Sequence, residues 1–207
     1  MLRILTIDDH EVVRDGVKGL FAPGTAVFGE ARSGAEALAL VRDQDWDIAV
    51  LDISLGGRSG LDVLKEIKSL RPRVPVLMLS MHAEEQYAMR AFKAGASGYI
   101  SKASSRDELR TAILKVVKGG RYVSAALAEK MVFDLSGTEK QGHEGLSDRE
   151  LEVLCLIGSG KTVSEIAEKL SLSDKTISTY RRRILDKMQM KTNAELTHYA
   201  IRNGLVE

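Results

Sequence analysis

The sequence predicts a doubly wound α/β domain with a five-stranded parallel sheet, followed by an all-α domain of four helices. Three observations carry that expectation. Short β-branched or apolar runs alternate with segments of helical period through residues 1–118; a stretch without apolar residues, Ser136 to Gly145, interrupts the chain; and only helical periods follow, from Leu146 onward. At 207 residues the chain accommodates two small domains, and an apolar content of 44% against 29% charged lets each bury a core rather than remain disordered.

In the first part Leu2–Ile7, Ala26–Glu30, Ile48–Leu51, Val74–Leu79 and Gly98–Ile100 read as strands. Between and after them Glu11–Phe21, Gly34–Arg42, Gly60–Leu70, Glu84–Ala94 and Ser105–Val117 read as helices. Parallel strands need crossover connections of one hand, so the helices cover both faces of the sheet. After Gly119-Gly120 a helix is expected over Ser124–Leu135, then a flexible linker that includes His143 as a solvated loop residue. The expected organisation is therefore 1–118, a connecting region 119–145, and 146–207.

Several classes are excluded early. The apolar runs are of strand length and the N-terminus has no basic region leading into a long apolar segment, so neither membrane span nor secretion signal is expected and the cytoplasm is the expected location. The single cysteine, Cys155, has no disulfide or metal partner and reads as a small core residue.

Functional groups in a doubly wound sheet collect at the carboxyl ends of the strands, near the change in strand order. Asp8 and Asp9 follow the first expected strand, Asp52 the third, Ser80 the fourth and Lys102 the fifth. Three carboxylates at one edge repel one another unless a cation sits among them, and hard oxygen ligands suit Mg2+. An aspartate there can act as nucleophile toward a phosphoryl group, with the ion and the lysine offsetting negative charge. Singly, each residue has a plainer reading, Asp8 as a helix cap and Asp52 as a turn cap. Their joint placement favours a phosphoryl-acceptor site.

Asp8, Asp9, Asp52, Ser80 and Lys102 stand in the order and approximate spacing of two-component receiver domains, and residues 1–118 resemble that flavodoxin-like family. The resemblance implies that Asp52 is the phosphoacceptor. It implies a Mg2+ site formed by Asp8, Asp9, Asp52 and the backbone carbonyl of Ser54. It further implies that Ser80 and Lys102 contact the phosphoryl group and that Tyr99 is the aromatic switch, with Gly60 at the usual distance beyond the acceptor. Two departures stand out: Leu55-Gly56 occupies the place of a common Met-Pro, and Ala103 follows the lysine where proline is common. Ser54 and His82 flank the acceptor and the hydroxyl residue and are candidates for tuning the lifetime of the phosphorylated state.

The second part has a different grammar. Ser147 and Glu150 form a capping box before a helix running to about Ile157, and Gly158-Ser-Gly160 ends it. A helix from Thr162 or Val163 to Leu170, a tight turn at Ser171-Leu-Ser173, a long helix Asp174–Met188 and a last helix Asn193–Arg202 follow. Net charge is only +1, yet Lys175, Arg181, Arg182, Arg183, Lys187 and Lys191 concentrate positive charge on one segment. A helix, a tight turn and a second helix with exposed cations read as a helix-turn-helix whose second helix enters a DNA major groove. Without that context the basic run is a solvated helix face.

Leu146-Ser-Asp-Arg-Glu-Leu-Glu-Val-Leu154, Ser164-Glu-Ile-Ala167 and Asp174-Lys-Thr-Ile-Ser-Thr-Tyr180 resemble the LuxR-type output domain of NarL/FixJ response regulators. That resemblance places Ser178, Thr179 and Arg182 against bases, and Lys175, Thr176, Tyr180, Arg181 and Arg183 against phosphates or flanking positions. The partners it implies are a sensor histidine kinase, double-stranded DNA, a second copy in a homodimer and RNA polymerase, with no membrane. No enzymatic activity is expected. Two other classes fit the residues less well. A nucleotide or flavin binder lacks a Gly-rich loop after the first strand, where Asp8-Asp9-His10 stands, and an aspartyl phosphatase lacks a second acid two residues beyond Asp52, where Ser54 stands. A regulator whose receiver serves only for dimerisation remains a third reading.

Overall fold

The protein is described by a computed structural model that covers residues 1–55, 58–81, 84–124, 128 and 142–206. The chain divides into two units, Met1–Leu135 and Ser136–Glu207.

In the first unit β1 (Leu2–Ile7), β2 (Ala26–Ala31), β3 (Ile48–Asp52), β6 (Val76–Ser80) and β7 (Gly98–Ser101) form one parallel sheet in the order β2-β1-β3-β6-β7. A two-stranded antiparallel hairpin, β4 (Ser54–Leu55) and β5 (Arg58–Ser59), follows β3. Helices α1 (Glu11–Lys18), α2 (Gly34–Asp43), α3 (Gly60–Leu70), α4 (Glu84–Lys93) and α5 (Arg106–Val117) are the crossovers and the final cover. Side chains alternate across each strand. Ile4, Ile48, Val50, Leu77, Leu79 and Ile100 therefore bury one face together with Val17 of α1 and Ala112, Ile113 and Val116 of α5.

The register fixes the functional edge. Ile7 lies beside Leu51, Asp52 beside Leu79, and Ser80 beside Ser101, so the residues leaving β1, β3, β6 and β7 emerge together. The order changes direction between β1 and β3, which is where ligands of such sheets bind.

Element boundaries depart from expectation for local reasons. The first helix stops at Lys18 rather than Phe21, because Gly19 ends it and its carbonyl accepts from Arg106 of α5. Leu20 and Phe21 still pack on the core, from a turn. Pro75 cannot donate to a ladder, so β6 begins at Val76, and Val74 instead closes a turn on Arg71. The hairpin β4–β5 lies where no strand is expected. It returns the chain so tightly that a Cβ on Gly60 would collide with the Asp52 carbonyl oxygen and lie 2.8 Å from the Ile53 Cα, which accounts for glycine there. Strand β7 does not end the sheet bare, since Tyr122 forms a parallel bridge with Gly98 and its carbonyl accepts from the Tyr99 N–H.

In the second unit α6 (Asp148–Gly158), α7 (Val163–Leu170), α8 (Asp174–Met188) and α9 (Asn193–Arg202) are the four expected helices. The capping boxes at Ser147 and Thr162 and the caps at Ser173 and Thr192 start each where the sequence places it. Ser171, in the left-handed region at φ 52°, turns α7 into α8. Helix α6 is buried nearly throughout, including Arg149, Glu150 and Glu152. Arg149 pairs with Glu152 at 2.6 Å and donates to the Leu170 carbonyl, while Glu150 accepts from Lys187 of α8 at 2.6 Å.

The expectation for His143 is overturned. Gly142–Gly145 form a single 3-10 turn, and His143 is buried in it with Nδ1 2.8 Å from the Tyr199 hydroxyl of α9. The partner that takes the ring out of water comes from a helix far along the chain, which no local pattern announces. Of the helix expected over Ser124–Leu135, only Ser124 and Ala128 lie within the described residues.

Burial opposes the Glu150 charge, but the bonds from Lys187 and Ser147 outweigh it and hold its pKa below the usual carboxylate value. A depressed folded-state pKa contributes stability that is present above the ordinary value of 4.5 and lost as pH falls through the folded one. Glu150→Ala, which removes both the capping box and the partner of Lys187, is expected to cost about 1–3 kcal/mol in urea unfolding at pH 7. The deficit relative to the unaltered protein should shrink below about pH 4; a deficit independent of pH would assign it to packing alone.

Candidate functional site

At the carboxyl edge of the sheet the Lys102 ammonium sits 2.7 Å from Asp52 Oδ2 and 2.8 Å from Asp8 Oδ2. Both carboxylates are buried, Asp8 to 1% exposure and Asp52 to 3%, whereas Asp9 is 36% exposed at the rim. The position of each follows from its strand. Asp52 is the last residue of β3, Asp8 and Asp9 follow β1, and Lys102 follows β7, its N–H donating to the Ser80 carbonyl at 2.7 Å. Ser80 ends β6 and is fully buried. Tyr99 is fully buried in β7, opposite Met78.

Burial pushes the Asp52 carboxyl up to about 6 from 3.8, and repulsion from Asp8 adds to this, while Lys102 and the Ser54 N–H pull it back. Burial also opposes the Lys102 charge, yet Asp52 and Asp8 hold its pKa above the ordinary lysine value. Asp8 does not cap α1, whose N-cap is His10; its Oδ1 accepts from the His10 N–H at 2.8 Å, and its Oδ2 meets Lys102.

One ligand atom from each of Asp8, Asp9, His10 and Asp52 falls within 4.8 Å of the others. The set fits a hard divalent cation, because three of its four donors are carboxylates. The His10 Nδ1 is within 2.8 Å of Asp9 Oδ1 and 3.1 Å of Asp8 Oδ1, which places it beside the carboxylates. Ser54 is in β4, directly beyond the acceptor strand. His82 and Gly56 lie outside the described residues.

Sequence reasoning missed Arg14. It lies on the buried face of α1, donating from Nη1 to the Asp8 carbonyl at 2.8 Å and from Nε to Glu30 at 3.1 Å. The available signal was a cation on an apolar helix stripe together with an acid, Glu30, inside a strand.

On α8 the residues Lys175, Ser178, Thr179, Arg182 and Arg183 are exposed; Thr176, Tyr180 and Arg181 are half-buried. Several already have local partners. Arg181 donates from Nε to Asn193 of α9, the Thr179 hydroxyl donates to the Lys175 carbonyl at 2.9 Å, and the Thr176 hydroxyl lies 2.8 Å from that of Ser173. Ile177 and Ile184 anchor the opposite face in the core.

A doubly wound sheet with an acid pocket closed by a lysine, on one chain with a helix-turn-helix unit, defines the response-regulator class. Residues 4–114 match the response regulator receiver domain and residues 144–200 the bacterial regulatory proteins of the luxR family. The response regulator UvrY of Escherichia coli K12 is 36% identical over 209 residues, covering 99% of this chain and 96% of UvrY. The response regulator GacA of Pseudomonas protegens is 33% identical over 210 residues, covering 100% and 99%. Among solved structures, RcsB of Salmonella enterica serovar Typhimurium, bound to promoter rprA in the presence of phosphomimetic BeF3-, is 25% identical, covers 96% of this chain and 97% of RcsB, and has a TM-score of 0.64. The chain belongs to the NarL/FixJ family of two-component response regulators. It is a transcription regulator with a LuxR-type DNA-binding domain, and not an enzyme. Among the described residues no helix is long and apolar enough to cross a membrane.

Because the folded Asp52 pKa lies above its unfolded value, ionising Asp52 costs the fold stability, a cost absent below about pH 4 and complete above about pH 6. Asp52→Asn is therefore expected to raise the stability of the metal-free protein at about pH 7.5 by on the order of 1–3 kcal/mol. That advantage should fade by about pH 4 in thermal unfolding followed by circular dichroism. Equal stability of the two proteins at neutral pH would show that Lys102 already offsets the whole cost.

Proposed function

We propose that phosphorylation of Asp52 by a histidine kinase controls dimerisation and sequence-specific DNA binding by this regulator. The observation that carries the reading is the buried contact of Lys102 with both Asp52 and Asp8, since it leaves a nucleophilic carboxylate inside a pocket whose other donors are mostly carboxylate oxygens. A carboxylate oxygen of Asp52 attacks the phosphorus of the kinase's phosphohistidine. The P–O bond forms as the P–N bond breaks, and the electron pair returns to the imidazole, which takes up a proton. Asp8, Asp9, Asp52 and the Ser54 carbonyl would hold Mg2+, which would supply neutralisation of charge on the phosphoryl oxygens. Lys102 orients Asp52 beforehand and then pairs with a phosphoryl oxygen, and the Ser80 hydroxyl donates to another. Tyr99, on β7 beside the strand that ends in Ser80, changes its packing as Ser80 moves and so biases a pre-existing equilibrium between two arrangements.

The division of labour follows the sequence bounds: a receiver over 1–118, a connection over 119–145 and a DNA-binding domain over 146–207. In the last of these Ser178, Thr179 and Arg182 face bases, while Lys175, Thr176, Tyr180, Arg181 and Arg183 contact phosphates or flank them. The exposure of Lys175, Ser178, Thr179, Arg182 and Arg183 along α8 supports the assignment. A homodimer presents two such helices to two half-sites. RcsB is bound to a promoter in the presence of a phosphomimetic, which is consistent with the same coupling here. The protein works in the cytoplasm, next to RNA polymerase.

The test is fluorescence anisotropy on a pool of genomic DNA fragments with Mg2+ and acetyl phosphate, comparing wild type with Asp52→Ala. Stimulation confined to the wild type is expected, and equal binding by both would leave a regulator that does not depend on phosphorylation. In the same assay Arg182→Ala should weaken binding by about 1–3 kcal/mol, and Arg183→Ala should lower the slope of log affinity against log salt by about one. Unchanged affinity and slope would move the interface off α8.

A further inference from the structure

Among the described residues, the largest fully buried side chain of the receiver unit is a cation. Arg14 is 2% exposed, and a guanidinium that deep destabilises the fold unless its donors are met. They are met from two directions. Nε donates to Glu30 Oε2 of β2 at 3.1 Å, and Nη1 donates to the Asp8 carbonyl at 2.8 Å. Glu30 is itself fixed by Lys18, one turn further along α1, at 2.6 Å, and this contact together with Arg14 holds the Glu30 pKa below its usual value.

The acceptor on Asp8 lies at an informative place. Strand β1 ends at Ile7, and the Asp8 N–H makes the last bond toward β2, donating to the Ala31 carbonyl at 3.1 Å. Arg14 takes up the carbonyl of the same residue where the chain leaves the sheet. The Asp8 side chain is fixed as well, because its Oδ1 accepts from the His10 N–H. Backbone and side chain of Asp8 are thus both held, and Asp9 is the next residue along the chain. We propose that Arg14 is the positioning residue of the metal pocket, fixing the separation and direction of Asp8 and Asp9 so that both carboxylates reach one divalent cation.

The inference rests on the reading of the acid pocket as a Mg2+ site. Mg2+ demands near-octahedral geometry with short metal–oxygen distances, so a small displacement of the β1–α1 loop is enough to lose a ligand. Residues that orient ligands in this way characteristically change metal affinity by about 10–100-fold. Arginine is required rather than any cation, because its planar fork reaches two acceptors on two elements at once, whereas a lysine ammonium meets them as a point charge on a flexible stem.

The experiment is Mg2+ titration by calorimetry on the full chain, together with acetyl-phosphate labelling across a Mg2+ series, for wild type, Arg14→Lys, Arg14→Met and Glu30→Gln. Circular dichroism melts identify which variants are folded at the assay temperature. We expect Arg14→Met to bind Mg2+ at least about tenfold more weakly, with Arg14→Lys between it and wild type. Labelling should fall at low Mg2+ and recover at saturating Mg2+, a pattern that a loss of stability alone does not produce. Should Arg14→Met not fold, Arg14→Lys and Glu30→Gln carry the same comparison. Folded variants with wild-type Mg2+ affinity would overturn the proposal while leaving the pocket reading intact. Wild-type Mg2+ binding that is unchanged by Asp9→Asn would overturn the pocket reading, and this inference with it.

Discussion

The contact of one buried ammonium with two buried carboxylates, Lys102 between Asp8 and Asp52, is the constraint around which the receiver unit is arranged. Each of these charges loses its hydration on folding, and a charge left there alone would destabilise the domain by several kcal/mol. The mutual contact offsets much of that loss, with help from the Ser54 and His10 N–H groups, so the three strands that deliver the groups must end in register. Parallel pairing of β1 with β3, and of β6 with both β3 and β7, provides that alignment, and the hydrophobic faces on either side fix the pairing against slippage. The offset is incomplete. Burial and the neighbouring Asp8 still hold the Asp52 carboxyl up at about 6.

The residues around the triad have roles that follow from this arrangement. Gly60 lets the start of α3 close against the backbone of Asp52 itself, so the acceptor's carbonyl is confined from one side by a helix terminus and its carboxylate is held from the other by Lys102. Strand β7 carries Tyr99 and leads into Lys102, and its outer edge is bridged by Tyr122, whose hydroxyl donates to Glu108 of α5 at 2.8 Å. Lys102 is tied by its N–H to Ser80 of β6, whereas Tyr122 is tied to Ser97 and Tyr99 at the start of β7.

What the sequence makes visible is whatever depends on periodicity and punctuation. Alternation of strand and helix, the strand-end positions of Asp8, Asp52, Ser80 and Lys102, and caps such as Ser147 with Glu150 are local patterns, and they appear in the structure although several element ends are shifted and the hairpin β4–β5 is added. What stays hidden depends on contacts between residues distant in the chain. The partners of Arg14, Glu30 and the Asp8 carbonyl, are supplied by the fold rather than by the local sequence, and His143 looks like a linker residue until α9 delivers Tyr199 across a gap of 56 positions. The expected end of α1 runs too far because Leu20 and Phe21 continue the apolar rhythm while Gly19 has already ended the helix. Periodicity reports burial and does not report whether burial is reached from a helix or from a turn.

The same distinction bears on the basic segment of α8. Counting charges treats Lys175, Arg181, Arg182, Arg183 and Lys187 as one electrostatic surface, but two of them are committed within the fold. Lys187 is the partner of buried Glu150 in α6, and Arg181 reaches Asn193 at the start of α9. These two contacts tie the helix to both of its neighbours and set its rotation about its own axis, with Ile177 and Ile184 directed to the core. Arg182 and Arg183, together with Lys175 and Ser178, are then presented outward from a fixed frame. A helix that reads bases needs its side chains held at defined angles, because bidentate contacts are sensitive to direction, whereas phosphate attraction is not. The internal contacts of Arg181 and Lys187, together with Ile177 and Ile184 in the core, therefore fix the direction in which the exposed residues of α8 point.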